Sequence, residues 1–166
     1  SEIGISIMKI SEELDSGPVC NIYKTRLNRD DNAEEISEKL SLLAGEKILD
    51  NVDDIFENKA KFKEQDHSKA TYAKKIIKTE GEINWNDDVL KIIGKINGLF
   101  PTPGAYFNFS SERYKILKAE IGNGIGEPGE IVSDYLEVVC GDKQTIKIKK
   151  IQRQGKKAQN ISEFMF

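Results

Sequence analysis

Gly4-Ile5-Ser6-Ile7-Met8-Lys9-Ile10, followed by Glu13-Leu14-Asp15-Ser16-Gly17-Pro18-Val19, reads as a short buried strand entering a tight turn, with a second strand beyond. Asp15 stands at that turn, and a carboxylate at the end of a strand in an α/β sheet lies where such folds bind ligands. Taken locally, an Asp before Ser-Gly-Pro is also an ordinary turn former. The strands are expected over residues 3–10 and 19–27. The polar run Asn28–Asn32 then supplies a helix start, with Asp31/Glu34 or Asn32/Glu35 at capping-box spacing. Ile36, Leu40, Leu43, Ile48, Val52 and Phe56 recur at helical spacing, with one slip near Gly45, and predict a helix over 33–57. Two strands and a helix fit the tail of an open α/β sheet and bury too little surface to stand alone as a domain.

Residues 59–70 are polar, lack periodicity and read as a linker. Asp87 opens a second helical pattern over 87–99, with Val89, Ile92, Ile93 and Ile96 on one face. Phe100-Pro101-Thr102-Pro103-Gly104 stops it, since proline cannot continue the ladder. Beyond it, short alternating segments at 105–109, 114–121, 129–132, 136–140 and 145–151 predict a small barrel or a strongly coiled sheet, closed by a short helix at 161–166.

Bulk properties narrow the class. The 166 residues accommodate one domain or two small ones. No run approaches the ~18 apolar residues of a membrane span, and no secretory signal pattern opens the chain, so a cytoplasmic protein with no membrane partner is expected. Cys20 and Cys140 lack metal-type spacing and read as small thiols in a reducing compartment. The net charge of −3 divides unevenly: residues 1–68 hold 9 Lys+Arg against 16 Asp+Glu, and residues 69–166 hold 16 against 12. A basic back half fits a polyanionic partner, although an ordinary solvated surface gives the same balance.

Several blocks together resemble one family. The Asp15-Ser16-Gly17 turn is similar to that of formyltransferases that use 10-formyltetrahydrofolate. Thr71-Tyr72-Ala73-x-Lys75-Ile76 with Ile83-Asn84-Trp85 resembles the block that opens the second domain of the branch acting on methionyl-tRNA, Asn84 standing where that branch carries Asp. Phe100-Pro101-Thr102-Pro103-Gly104-Ala105 resembles its Pro-Trp-Pro-Gly-Ala turn, with Thr102 in place of Trp. Glu127-Pro128-Gly129-Glu130-Ile131, and Ile151-Gln152 through Gly155-Lys156-Lys157-Ala158 with Phe164, are similar to its later strands. The resemblance implies an α/β fragment over 1–58, the end of a Rossmann-like formyltransferase domain, then a linker over 59–70. Over 71–166 it implies an all-β open barrel of OB-like type with short helices.

The implied activity is transfer of a formyl group from 10-formyltetrahydrofolate to the α-amino group of initiator methionyl-tRNA, by a monomer, in translation initiation. The alternatives are an amino-sugar nucleotide formyltransferase and a non-catalytic RNA-binding module. The resemblance makes Asp15 the catalytic carboxylate that steadies an imidazolium. It places Leu14, Ser16 and Gly17 against the folate. The family's Asn and His have no match here, so this chain alone is expected to be inactive.

Lys147 and Lys149 alternate with Ile146 and Ile148, which places the lysines on one strand face. With Lys150, Arg153, Lys156 and Lys157, and with Lys74, Lys75 and Lys78 extending the track, they are candidate RNA-phosphate contacts. Solvated lysines are the alternative. His67, the single histidine, reads as an exposed linker residue, and no metal site is expected. Gly122-Asn123-Gly124-Ile125-Gly126 opens no helix and reads as a hairpin loop rather than a phosphate cradle. Tyr72, Trp85 and Phe107 read as packing anchors.

Overall fold

Ile3, Ile5 and Ile7 alternate with Glu2, Gly4 and Ser6, and this period-2 pattern forms strand β1 (Glu2–Met8). β1 pairs antiparallel with β2 (Val19–Arg26), from Glu2↔Arg26 to Ile7↔Asn21, and a bulge at Ile7/Met8 ends the ladder. The computed structural model describes residues 2–165. β1 is not the buried strand that the sequence suggests: its isoleucines are half-covered and the alternate positions face out.

Helix α1 (Ala33–Phe56) runs unbroken through Gly45. Its covered stripe is Ile36, Leu40, Leu43, Lys47, Asn51 and Ile55, so the apolar periodicity is followed only in the first half. Ile48, Val52 and Phe56, expected on the inner face, are exposed, Phe56 by 84%. The buried residue of α1 is polar. Asn51 Nδ2 donates to Tyr23 Oη (2.7 Å) and to Lys47 O (2.7 Å), and its Oδ1 accepts from Asn21 Nδ2. Every polar atom of that amide group therefore has a partner, as burial requires.

Two compact units divide the chain, Ser1–Asp31 with Glu35–Lys74 and Asn32–Glu34 with Lys75–Phe166. Among the described residues, all the fully covered apolar side chains belong to the second.

In the second unit, Asp88 caps α2 (Val89–Gly98) by accepting from the Lys91 amide at 2.8 Å. The i, i+3, i+4, i+7 face Val89, Ile92, Ile93 and Ile96 is buried, as its spacing dictates. It lies on an antiparallel sheet of β3 (Ala105–Phe109), β4 (Glu112–Gly122), β5 (Ile131–Ser133), β6 (Glu137–Val139), β7 (Thr145–Arg153) and β8 (Gln159–Asn160). The strand order is β3-β4-β7-β6-β5, with β8 beside β7. β3 and β5 are its two ends and do not pair with each other, so the sheet is open and no closed barrel forms among the described residues. The short helix α3 (Ile161–Phe164) buries Ile161. Fully buried Ile116, Ile146, Ile148 and Ile151 each contribute about 1.5–3 kcal/mol by leaving water.

A local device keeps Ile151 in that core. Strict alternation after Ile148 would turn Ile151 outward, because Lys149-Lys150 inserts two polar residues. The register instead steps from Ile148↔Ala119 to Lys150↔Lys118 to Ile151↔Ile116, skipping Lys149 on one strand and Leu117 on the other. These bulges let both isoleucines point inward and leave both lysines exposed. Trp85, Phe107, Tyr114 and Phe164 form a chain of ring contacts at 5.5–6.0 Å. Trp85 and Phe107 thus anchor the packing, whereas Tyr72, expected to do the same, is 93% exposed.

Candidate functional site

The Asp15 turn is a built loop. Its base closes where the Lys9 amide donates to Pro18 O (3.0 Å), and Ser16 Oγ donates to Glu13 O (2.9 Å) while sharing a hydrogen bond with Ser11 Oγ (2.7 Å). Gly17 is buried, and a Cβ there would lie 1.9 Å from Lys9 O, so no other residue fits this backbone unmoved. Asp15 has φ +54°, a left-handed conformation that Asp adopts more readily than most residues. Its side chain is exposed and takes no hydrogen bond or ion pair from the described residues. Leu14 beside it is 91% exposed, and Ser16 is half-buried.

The stretch read as a linker, residues 59–70, is fastened to this turn through residues 62–65. Val19 and Lys63 exchange two backbone hydrogen bonds of 2.9 Å, and Lys9 Nζ lies 4.4 Å from the centre of the Phe62 ring. Gln65 Nε2 donates to both Asp15 O (2.8 Å) and Gly17 O (2.7 Å). Nothing local in the sequence marks Gln65, because its partners lie some fifty positions away. His67 is exposed and opens a short 3₁₀ turn (His67–Lys69) capped by Asp66, as its placement in a polar segment suggests. The Ser68 and Lys69 side chains hold the Asp66 carboxyl below its ordinary range.

The basic residues of the second unit fall into two groups. Lys147, Lys149 and Arg153 each face a carboxylate: Glu137 at 3.9 Å, Glu120 at 2.8 Å and Glu112 at 2.5 Å. The Arg153 guanidinium and then the Tyr114 hydroxyl hold Glu112 below the usual carboxyl range. Lys150, Lys156 and Lys157 have no ion pair among the described residues and are exposed, as is Lys78, and Lys75 at the start of this unit is equally so. Lys74, which closes the first unit, is exposed as well. Lys118 was missed in the sequence. It sits directly opposite Lys150 across the β4–β7 ladder, and next to that pair Lys115 faces Gln152. Two like charges placed opposite each other oppose folding, and neither lysine has an ion pair among the described residues. The signal for Lys118 was its place on β4, hidden by the bulge that shifts its register.

The Gly122-Asn123-Gly124 segment does cradle an anion, and the anion is the protein's own. Glu137 Oε1 accepts from the amides of Asn123 (2.8 Å) and Gly124 (2.7 Å) and from Thr145 Oγ1 (2.5 Å). A Cβ at residue 122 would lie 2.1 Å from Glu137 Oε1. These bonds, that of Thr145 foremost, hold Glu137 below its ordinary 4.5 despite burial. Cys140 is buried, which pushes its thiol up to about 11 and leaves it no nucleophile at neutral pH. Among the described residues no cluster of three or more His, Cys, Asp or Glu side chains is disposed to hold a metal, and no helix is long and apolar enough to cross a membrane.

A sequence model of the formyl transferase C-terminal domain matches residues 75–166, more than half of the chain. The chain belongs to the formyltransferase family. It is 64% identical over 164 residues to a methionyl-tRNA formyltransferase of Pelagibacter ubique, covering 99% of this chain and 53% of that protein. The chain therefore spans about half the length of the curated relatives it matches. The fold is similar to HypX from Aquifex aeolicus in complex with tetrahydrofolic acid, with TM-score 0.77 and 16% identity over 99% of this chain and 30% of that one. It is also similar to a methionyl-tRNA formyltransferase from Clostridium thermocellum, with TM-score 0.58 and 24% identity over 74% and 52%. The family's C-terminal domain thus accounts for the open sheet and α2, and the methionyl-tRNA relatives extend across the Asp15 turn as well.

Proposed function

We propose that the protein containing this chain transfers a formyl group from 10-formyltetrahydrofolate to the α-amino group of initiator methionyl-tRNA, in the cytoplasm and as a monomer. The observation that carries this reading is the 64% identity to a methionyl-tRNA formyltransferase along 99% of the chain. The tetrahydrofolate held by a protein of similar fold supports the co-substrate.

Formyl transfer requires the acceptor amine to lose a proton as it attacks the formyl carbon, and the folate nitrogen to leave with one. Asp15 is proposed as the carboxylate that stabilises the imidazolium carrying that proton between the two steps. Its exposed, unengaged side chain on a braced turn suits that task. Leu14 offers an uncovered apolar surface to a folate ring, and Ser16 and Gly17 fix the loop wall beneath it. The imidazole itself has no counterpart in this chain, so these residues alone are predicted to be inactive. Residues 1–58 would complete a Rossmann-like catalytic domain, 59–70 would join it to the next, and 71–166 would be an OB-like tRNA-binding domain.

On that second domain the phosphate contacts are proposed at Lys150, Lys156 and Lys157, joined by Lys118, with Lys74, Lys75 and Lys78 in the stretch that follows the 59–70 linker. Lys147, Lys149 and Arg153 would contribute less, because their own carboxylates already neutralise them. The test offers the full-length protein 10-formyltetrahydrofolate with initiator methionyl-tRNA and a UDP-amino sugar together. Formyl on the tRNA is expected. Formyl on the sugar, or on neither, overturns the reading.

A further inference from the structure

We propose that Gln65 is a positioning residue for the Asp15 carboxylate, tying the segment after α1 to the catalytic turn; this rests on the reading of Asp15 above. A left-handed Asp in a ten-residue loop has no strand ladder to hold it, and its own side chain is engaged by nothing. Such a loop has several accessible conformations unless its carbonyls are fixed from outside. Gln65 supplies that fixation with one group. The two hydrogens of Nε2 go to the carbonyls of Asp15 and Gly17, which flank Ser16. Those two bonds set the direction of the peptide planes on either side of the turn, and with them the direction in which the Asp15 side chain leaves the backbone.

The donor is itself held in place. Gln65 follows Lys63 by two residues, and Lys63 is locked to Val19 by a pair of backbone hydrogen bonds at the far side of the loop. Phe62 lies against Lys9 at the near side. The segment 62–65 therefore acts as a brace laid across the loop end of the β1–β2 hairpin. The side chain is half-buried, which limits competition from water for the two carbonyls. Ser11, Ser16 and Glu13 bond one another inside the loop, and among the described residues Gln65 is the side chain that ties the loop carbonyls to a distant segment.

The chemistry demands this more than stability does. Loss of the tie leaves the hairpin ladder and the Val19–Lys63 bridge intact but lets the carboxylate wander, and a displacement of about 1 Å at a reacting group costs up to about a hundredfold in rate. The test uses the full-length protein with initiator methionyl-tRNA and 10-formyltetrahydrofolate. It compares Gln65→Met, which keeps the length without a donor, and Asp15→Asn with wild type. The expected result is a fall in kcat of tenfold or more for Gln65→Met, with KM for methionyl-tRNA and the melting temperature unchanged, and a nearly inactive Asp15→Asn. Wild-type kcat in Gln65→Met beside an inactive Asp15→Asn overturns the role of Gln65. So does a loss of kcat matched by a loss of folded protein. Full activity in Asp15→Asn instead overturns the underlying reading of Asp15, whatever Gln65→Met does.

Discussion

Replacing Glu137 should expose how strongly the second unit depends on a carboxylate that it shelters for itself. Glu137 is 6% exposed, and three donors converge on one of its oxygens. A hydrogen bond to a charged group contributes about 1.5–3 kcal/mol, and a buried donor left alone costs about 1–3 kcal/mol. Asn123 is exposed and Gly124 half-buried, so water can reach part of the vacated cradle. The expected loss for Glu137→Ala is therefore about 3 kcal/mol, and for Glu137→Gln, which keeps an acceptor but no charge, about 1 kcal/mol. Urea unfolding followed through Trp85, the single tryptophan, reads this unit selectively. With a slope of about 2 kcal/mol/M, the alanine variant should unfold some ~1.5 M earlier. The carboxyl is held below its ordinary 4.5 in the folded state, so its contribution is complete above that value and vanishes as pH falls through the lowered one. Wild type and Glu137→Gln should accordingly converge at acid pH. A Glu137→Ala midpoint equal to wild type at pH 7, or a gap between wild type and Glu137→Gln that persists unchanged in acid, would refute the reasoning.

Gly17→Ala should displace the Asp15 turn, because the added Cβ meets a backbone oxygen at 1.9 Å rather than a side chain that can move aside. A loss of about 2–3 kcal/mol is expected, checked by thermal melting, with wild-type stability as the contrary result. Lys118→Gln combined with Lys150→Gln should lower the slope of log affinity for initiator tRNA against log salt by about 1–2, whereas Lys149→Gln, whose charge Glu120 already meets, should change it less. Equal slopes for all three proteins would remove the β4–β7 face from the RNA interface.

Local patterns carried the regular elements well. α2 (expected over 87–99) and β3 stand where the apolar spacing and the two prolines place them, α2 starting two residues later than expected behind its Asp88 cap, and α1 ends one residue before the expected position. Patterns decided by distant partners were not legible. The second half of α1 turns Asn51 inward rather than Val52 and Phe56, because Tyr23 and Asn21 offer its amide partners on the hairpin. Ile151 stays in the core only through paired bulges whose register depends on β4. Charge runs in the sequence could not show which lysines face a carboxylate, and Lys147 and Lys149 proved to do so. At the candidate site, the neighbours of Asp15 single it out in the sequence, whereas nothing local marks Gln65, whose amide donates to the Asp15 and Gly17 carbonyls. The glycine loop, read as a hairpin loop rather than a phosphate cradle, follows the same physics: its amides meet a carboxylate supplied by β6.

The central claim is tested most directly by formyl transfer from 10-formyltetrahydrofolate to initiator methionyl-tRNA, measured for the full-length protein and for its Asp15→Asn variant under identical conditions. The account predicts formylated tRNA from the first and turnover reduced by orders of magnitude in the second, with unchanged tRNA affinity. Equal turnover by the two proteins, or none by the wild type, would contradict it.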